Sequence, residues 1–135
     1  MNDSVTFRQL ESSRSDWNEV TSGDSSLDDW YRSVRDTPIS ELDDGDLSRA
    51  CRQCLYLDHI VPLAVARLEQ EPLAGDIFDG ELLVAMKMIP TSFWMNDQRY
   101  SEQLLRVVNQ AKELSDDEDI VDDADELAEK IRTVR

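Results

Sequence analysis

The side chains best suited to chemistry in this chain are two cysteines, one histidine and a surplus of carboxylates. Cys51 and Cys54 stand three apart, a spacing at which two thiolates on one helical turn converge on a soft metal ion or cycle through a disulfide. A redox pair of that kind sits between a strand and a helix, and a structural zinc needs a full set of four ligands. This stretch has no strand pattern, and only His59 is near. The pair therefore reads as small apolar side chains on a helix face, both reduced, because a disulfide across one turn would be strained.

His59 is the single histidine. A histidine-based triad would have to be built on it alone, and nothing in the sequence nominates its nucleophile or its orienting acid. Its place just before Pro62 makes it a helix-boundary residue. Asp76, Asp79 and Glu81, with Asp43, Asp44 and Asp46, carry oxygens that a divalent cation or an acid–base pair would use. Yet Asp76-x-x-Asp79-Gly80-Glu81 does not follow the EF-hand loop, and helix capping accounts for Asp79. A metal-dependent enzyme built on these acids would purify with stoichiometric metal. Phosphate-cradling glycine loops, G-x-S-x-G elbows and doubled Cys-x-x-Cys sets do not occur in the sequence. The residues nominate no catalytic group, no metal site and no cofactor, so the chain reads as a non-enzyme.

What the acids can do is attract. Thirty Asp and Glu against 14 Lys and Arg give a formal net charge of −16, which repels nucleic-acid backbones and anionic membranes and argues against both as partners. The same field steers a basic protein toward its surface. The candidate contacts are the acids gathered at turns and helix ends: Asp43, Asp44, Asp46, Asp76, Asp79, Asp116, Asp117 and Asp119.

The elements that would position these acids are helices. Among 135 residues there are four Gly and four Pro, few alternating β-branched runs, and many Leu, Ala, Glu and Arg at helical spacing. The expectation is one all-α domain over residues 1–135, a bundle of about six helices in stacked antiparallel pairs. Its centre is the apolar stretch Leu55–Leu83. Pro62 belongs in a first turn, so a helix buried on most sides starts near Ile60 or Val61, with Leu63, Ala66 and Leu68 on its faces. Pro72 and Gly75 stop it after Glu71.

N-terminal to that centre, residues 1–24 form a partly ordered segment with a short helix over Thr6–Glu11. A helix capped by Ser25 or Ser26 follows, with Leu27, Trp30, Tyr31 and Val34 as its stripe. Thr37-Pro38 ends that helix, Ile39 and Leu42 anchor the connection that follows, and a further helix from Leu47 carries Leu47, Ala50, Cys51, Cys54 and Leu55 on one face before a break at Leu57–His59.

After Gly75 a short polar loop leads to Asp79, the cap of a helix over Gly80–Met88 that Pro90 closes. One turn with Phe93 and Trp94 seals a core edge. Asn96 or Asp97 caps a long helix to Leu114, and the acidic linker Ser115–Asp119 precedes a C-terminal amphipathic helix over 119–135. The start of the chain lacks a basic segment followed by an apolar one, and the longest apolar run falls short of a membrane span, which predicts a cytoplasmic protein.

These residues also carry a resemblance. The order Phe7-x-x-Leu10-Glu11, Trp17, Pro38-Ile39-x-x-Leu42, Asp46-Leu47, Gln53, Leu57-x-x-Ile60-x-Pro62-Leu63-Ala64-x-x-x-Leu68-Glu69-x-x-Pro72-Leu73, Gly80-Glu81-Leu82-Leu83 and Phe93-Trp94 resembles the small all-helical immunity proteins of bacterial contact-dependent growth inhibition (CDI) systems. The match spans Thr6–Trp94 and is most specific over Ile60–Leu83. The resemblance implies a cytosolic, non-enzymatic protein that binds the toxic C-terminal domain of a delivered effector and occludes its active site; the sequence leaves the oligomeric state open, and a monomer is assumed. A nuclease toxin with a basic cleft would suit the charge. Most matching residues are apolar or helix-terminating, so they describe scaffold more than contact surface. The alternative is an acidic adaptor or regulatory module that binds a basic protein unconnected with any toxin.

Overall fold

A computed structural model describes residues 5–12 and 25–134. It divides into two compact units, Met1–Leu42 and Asp43–Arg135. Among the described residues there are eight α-helices, where about six were expected, and no strand.

The first unit holds α1 (Phe7–Ser12), α2 (Ser25–Val34) and a 3₁₀ turn (Ile39–Glu41). Aromatic stacking organises it. Phe7, fully buried, lies parallel to Tyr31 with centroids 5.5 Å apart and meets Trp30 edge-on at 6.3 Å. The Glu11 carboxylate accepts hydrogen bonds from the Tyr31 hydroxyl and from the Arg35 guanidinium. Ile39 and Leu42 are buried, as their anchoring role required, and the Ile39 amide donates to the Val5 carbonyl at 2.9 Å. Trp17, one of the residues that carry the resemblance, and the side chain of Leu27, expected on the apolar stripe, lie outside the described residues.

The second unit runs α3 (Asp44–Arg52), α4 (Leu57–Gln70), α5 (Glu81–Lys87), α6 (Thr91–Asn96), α7 (Ser101–Leu114) and α8 (Glu118–Val134). The short helix α5 is central, packing against α3, α4 and α8, while α8 also lies along α7 and α6. Its Leu82, Leu83, Ala85 and Met86 are all fully buried, and at about 1.5–3 kcal/mol for each large side chain removed from water they anchor the unit. The three-residue link 115–117 folds α8 back on α7, and Lys112 donates to Asp125 across the pair at 2.7 Å.

Helix termini depart from the sequence expectation in instructive ways. Helix α3 starts at Asp44 because Asp43 is the cap, its side chain accepting from the Asp46 amide at 2.8 Å. The break after α3 falls at Gln53–Tyr56, since Cys54 and Tyr56 adopt left-handed backbone with φ of 57° and 47°. Leu57–His59 is instead the first turn of α4. Pro62 consequently lies inside α4. The proline is tolerated there because the carbonyl four residues back belongs to Asp58, an exposed first-turn residue that water can satisfy.

Helix α4 is also less enveloped than expected. Ile60, Val61, Ala64, Val65 and Leu68 are buried, whereas Ala66 is exposed and Leu63 half-buried. It ends at Gln70, as Pro72 and Gly75 required. Helix α5 is capped by the Gly80 backbone without any side-chain bond from Asp79. Helix α7 starts at Ser101, not at Asn96 or Asp97; the Asp97 carboxylate is taken by the Arg99 side chain and amide. Trp94 is buried and Phe93 half-buried, in edge contact at 5.2 Å.

Candidate functional site

Cys51 and Cys54 diverge. Cys51 is buried against Met86, with its Sγ 3.8 Å from the Met86 Sδ, and burial pushes its thiol up to about 12. Cys54 has left the helix and is exposed, so the apolar face assigned to it ends at Cys51. Both are free. His59 is exposed on the first turn of α4. Among the described residues no group of His, Cys, Asp and Glu is placed to hold a metal ion, and no helix is long and apolar enough to cross a membrane.

The acids behave differently, because the fold joins three of their sequence neighbourhoods. The hub is the loop from Leu73 to Gly80 between α4 and α5. On one side Asp76 packs on α3, where a Cβ placed on Gly45 would lie 3.0 Å from the Asp76 Cβ. On the other side Gly80 meets α8, where an added Cβ would lie 3.0 Å from the Ile120 Cδ1. Asp43, Asp44 and Asp46 at the start of α3, Asp76 and Asp79 in the loop, and Asp119 beside Ile120 therefore share one end of this unit. Asp116 and Asp117 follow in the adjoining α7–α8 link.

Some of these acids also serve the fold. Asp43 caps α3. Asp44 holds the Arg67 guanidinium with two bonds, of 2.7 and 3.1 Å, and the Asp44 hydrogen bond raises the pKa of Arg67. The Asp117 carboxylate accepts from the Asp119 amide at 2.9 Å, closing the turn into α8. Asp76, Asp79, Asp116 and Asp119 are exposed. Beside the loop lies an open groove of about 280 Å³ whose charged walls are Asp44, Arg67, Glu71 and Asp79.

Sequence reasoning missed what stands among these acids. The loop expected to be polar carries Ile77 and Phe78 at its tip, 79% and 49% exposed. Its base is tied down. The Gly80 amide donates to the Leu73 carbonyl at 2.9 Å and the Leu82 amide to the Ala74 carbonyl at 3.1 Å. Glu81, only 3% exposed, accepts the Asp76 and Ile77 amides on one carboxylate oxygen at 2.8 and 3.1 Å. Its other oxygen is 3.7 Å from the Arg52 guanidinium.

Two glycines complete the frame. Any side chain at Gly75 would collide with the Phe78 carbonyl, at 2.1 Å from an added Cβ, and Gly80 has φ of +86°. The available signal was an apolar pair, Ile77-Phe78, bracketed by the turn residues Gly75-Asp76 and Asp79-Gly80.

Such an arrangement presents an apolar protrusion within a negative rim, on a backbone hydrogen-bonded at its base, and this suits protein recognition. A family model for CDI immunity proteins matches residues 11–104, which takes in α2 to α6 and the whole anchoring loop. No curated protein matches the chain. The match covers more than half of the sequence, and on it the chain belongs to the CDI immunity protein family.

Proposed function

We propose that this protein neutralises the C-terminal toxin domain of a contact-dependent growth inhibition effector by binding it stoichiometrically in the cytoplasm and covering its active site. The observation that carries the reading is the gathering of Asp43, Asp44, Asp46, Asp76, Asp79 and Asp119 at one end of the second unit, in a member of an immunity family. Acids so grouped raise the local potential above that of a uniformly charged surface and speed capture of a cationic partner. A toxin that cleaves nucleic acid needs a basic cleft to hold phosphates, and such a cleft is the complementary surface. The inhibitor acts by occupancy and performs no catalysis.

The test is co-expression with the product of the adjacent open reading frame. Growth is rescued and the two proteins purify together as a complex. Continued growth arrest in cells that accumulate folded protein would overturn the reading. Copurification with a basic protein without any rescue would favour an adaptor.

A further inference from the structure

The apolar tip of the loop is the least expected surface in the molecule. Isolated exposed apolar residues are ordinary, but Ile77 and Phe78 are adjacent and borne on a backbone tied at its base by Glu81 and by the Leu73 and Ala74 carbonyls. A slack loop would fold these side chains back onto the unit. This loop holds them out.

We infer that Ile77 and Phe78 are the anchor of the toxin interface, inserted into an apolar hollow flanked by lysine or arginine on the partner, and that Glu81 is the positioning residue that keeps the anchor raised. The inference rests on the neutralisation reading and names its surface. Charge selects the occupant. Asp76 and Asp79 flank the tip directly, Asp43 and Asp119 lie beyond it through the Gly45 and Gly80 contacts, and the chain carries −16 overall. A second copy of the same chain would bring a like-charged rim against this one, which opposes self-association.

Division of labour follows. The rim governs the rate of encounter, and the desolvated tip governs how long the complex lasts. Glu81 contributes by removing the cost of ordering the loop on binding. Its buried carboxylate accepts the Asp76 and Ile77 amides, so its loss frees residues 76–78 while Ile77 and Phe78 keep their chemistry.

The experiment measures binding kinetics of the full chain to its cognate toxin domain, for wild type, Phe78→Ser, Ile77→Ser/Phe78→Ser and Glu81→Ala, with thermal unfolding of each. The double variant melts as wild type does and loses at least about thirtyfold in affinity, mostly through faster dissociation. Glu81→Ala, which has no acceptor for the two amides, loses affinity through slower association, and a crosslink that closes the loop base restores it. In the wild-type complex, amide exchange slows across residues 75–80.

A folded Ile77→Ser/Phe78→Ser protein that binds within about threefold of wild type overturns the anchor assignment while leaving neutralisation intact. So does unchanged exchange at 75–80 in the complex. A wild-type protein that neither binds nor neutralises the toxin overturns the functional reading itself. A concentration-dependent dimer that Phe78→Ser abolishes would assign the tip to a second copy and overturn the assignment to the toxin.

Discussion

Glu11 shows how one carboxylate in the acidic surplus becomes a stabilising group. Burial alone would raise its pKa, but hydrogen bonds from Arg35 and Tyr31, with the nearby Arg8 charge, hold it below the ordinary 4.5. A carboxyl whose pKa is lower in the folded chain than in the unfolded one stabilises the fold at pH values above the ordinary range, and the effect disappears as pH falls through the lowered value. Glu11→Gln is expected to lower stability at pH 7 by about 1 kcal/mol, and the gap to wild type is expected to close at acid pH, once the lowered pKa has been passed. Denaturant titrations at the two pH values check this; a gap that persists in acid would mean that packing, not the ion pair, is responsible. None of this was visible in Phe7-x-x-Leu10-Glu11, where spacing reveals a helix face but not a partner in α2.

At the scale of elements, most helices were legible because their apolar spacing is regular, and their ends were not because capping is decided by backbone conformation. Asp79 has the right chemistry for a cap and stands directly before Gly80, yet the left-handed Gly80 takes the position. Pro62 was assigned to a first turn by a sound steric rule, and the structure meets the rule's cost at an exposed carbonyl instead. The same limit applies to burial. Leu63 and Leu68 are equally apolar in sequence, but the turn of α4 leaves Leu63 half-buried and Leu68 fully enclosed. Leu68→Ala is expected to cost about 2–5 kcal/mol and Leu63→Ala about 1 kcal/mol or less, because only the first leaves a sealed cavity. Equal losses on chemical denaturation would show that α4 is rotated from the position described.

For the whole molecule, charge was the property read most directly from composition, and its distribution was the property least so. The eight nominated acids are spread between residues 43 and 119, and only the packing of Asp76 on Gly45 and of Ile120 on Gly80 draws most of them to one end. If that end steers the partner, replacing Asp79, Asp116 and Asp119 with lysine, which spares the Asp43 cap and the Asp44–Arg67 pair, is expected to slow association about tenfold at low salt. The difference shrinks as salt screens the rim, since the Debye length falls from about 10 Å at 0.1 M to about 3 Å at 1 M. Stopped-flow rates at several ionic strengths measure it; equal rates at low salt would remove the steering role.

The doubly pinned loop has a consequence for how such a protein diversifies. Its frame depends on Gly75, Gly80, Glu81 and backbone groups, including the Ile77 amide and the Phe78 carbonyl, while the side chains of residues 77 and 78 stand largely exposed. Selection for a new adversary can therefore rewrite the tip without touching the scaffold, and selection for stability can act on the scaffold without disturbing recognition. Lineages that share this frame should differ most where it is most exposed, and inherit its glycines unchanged.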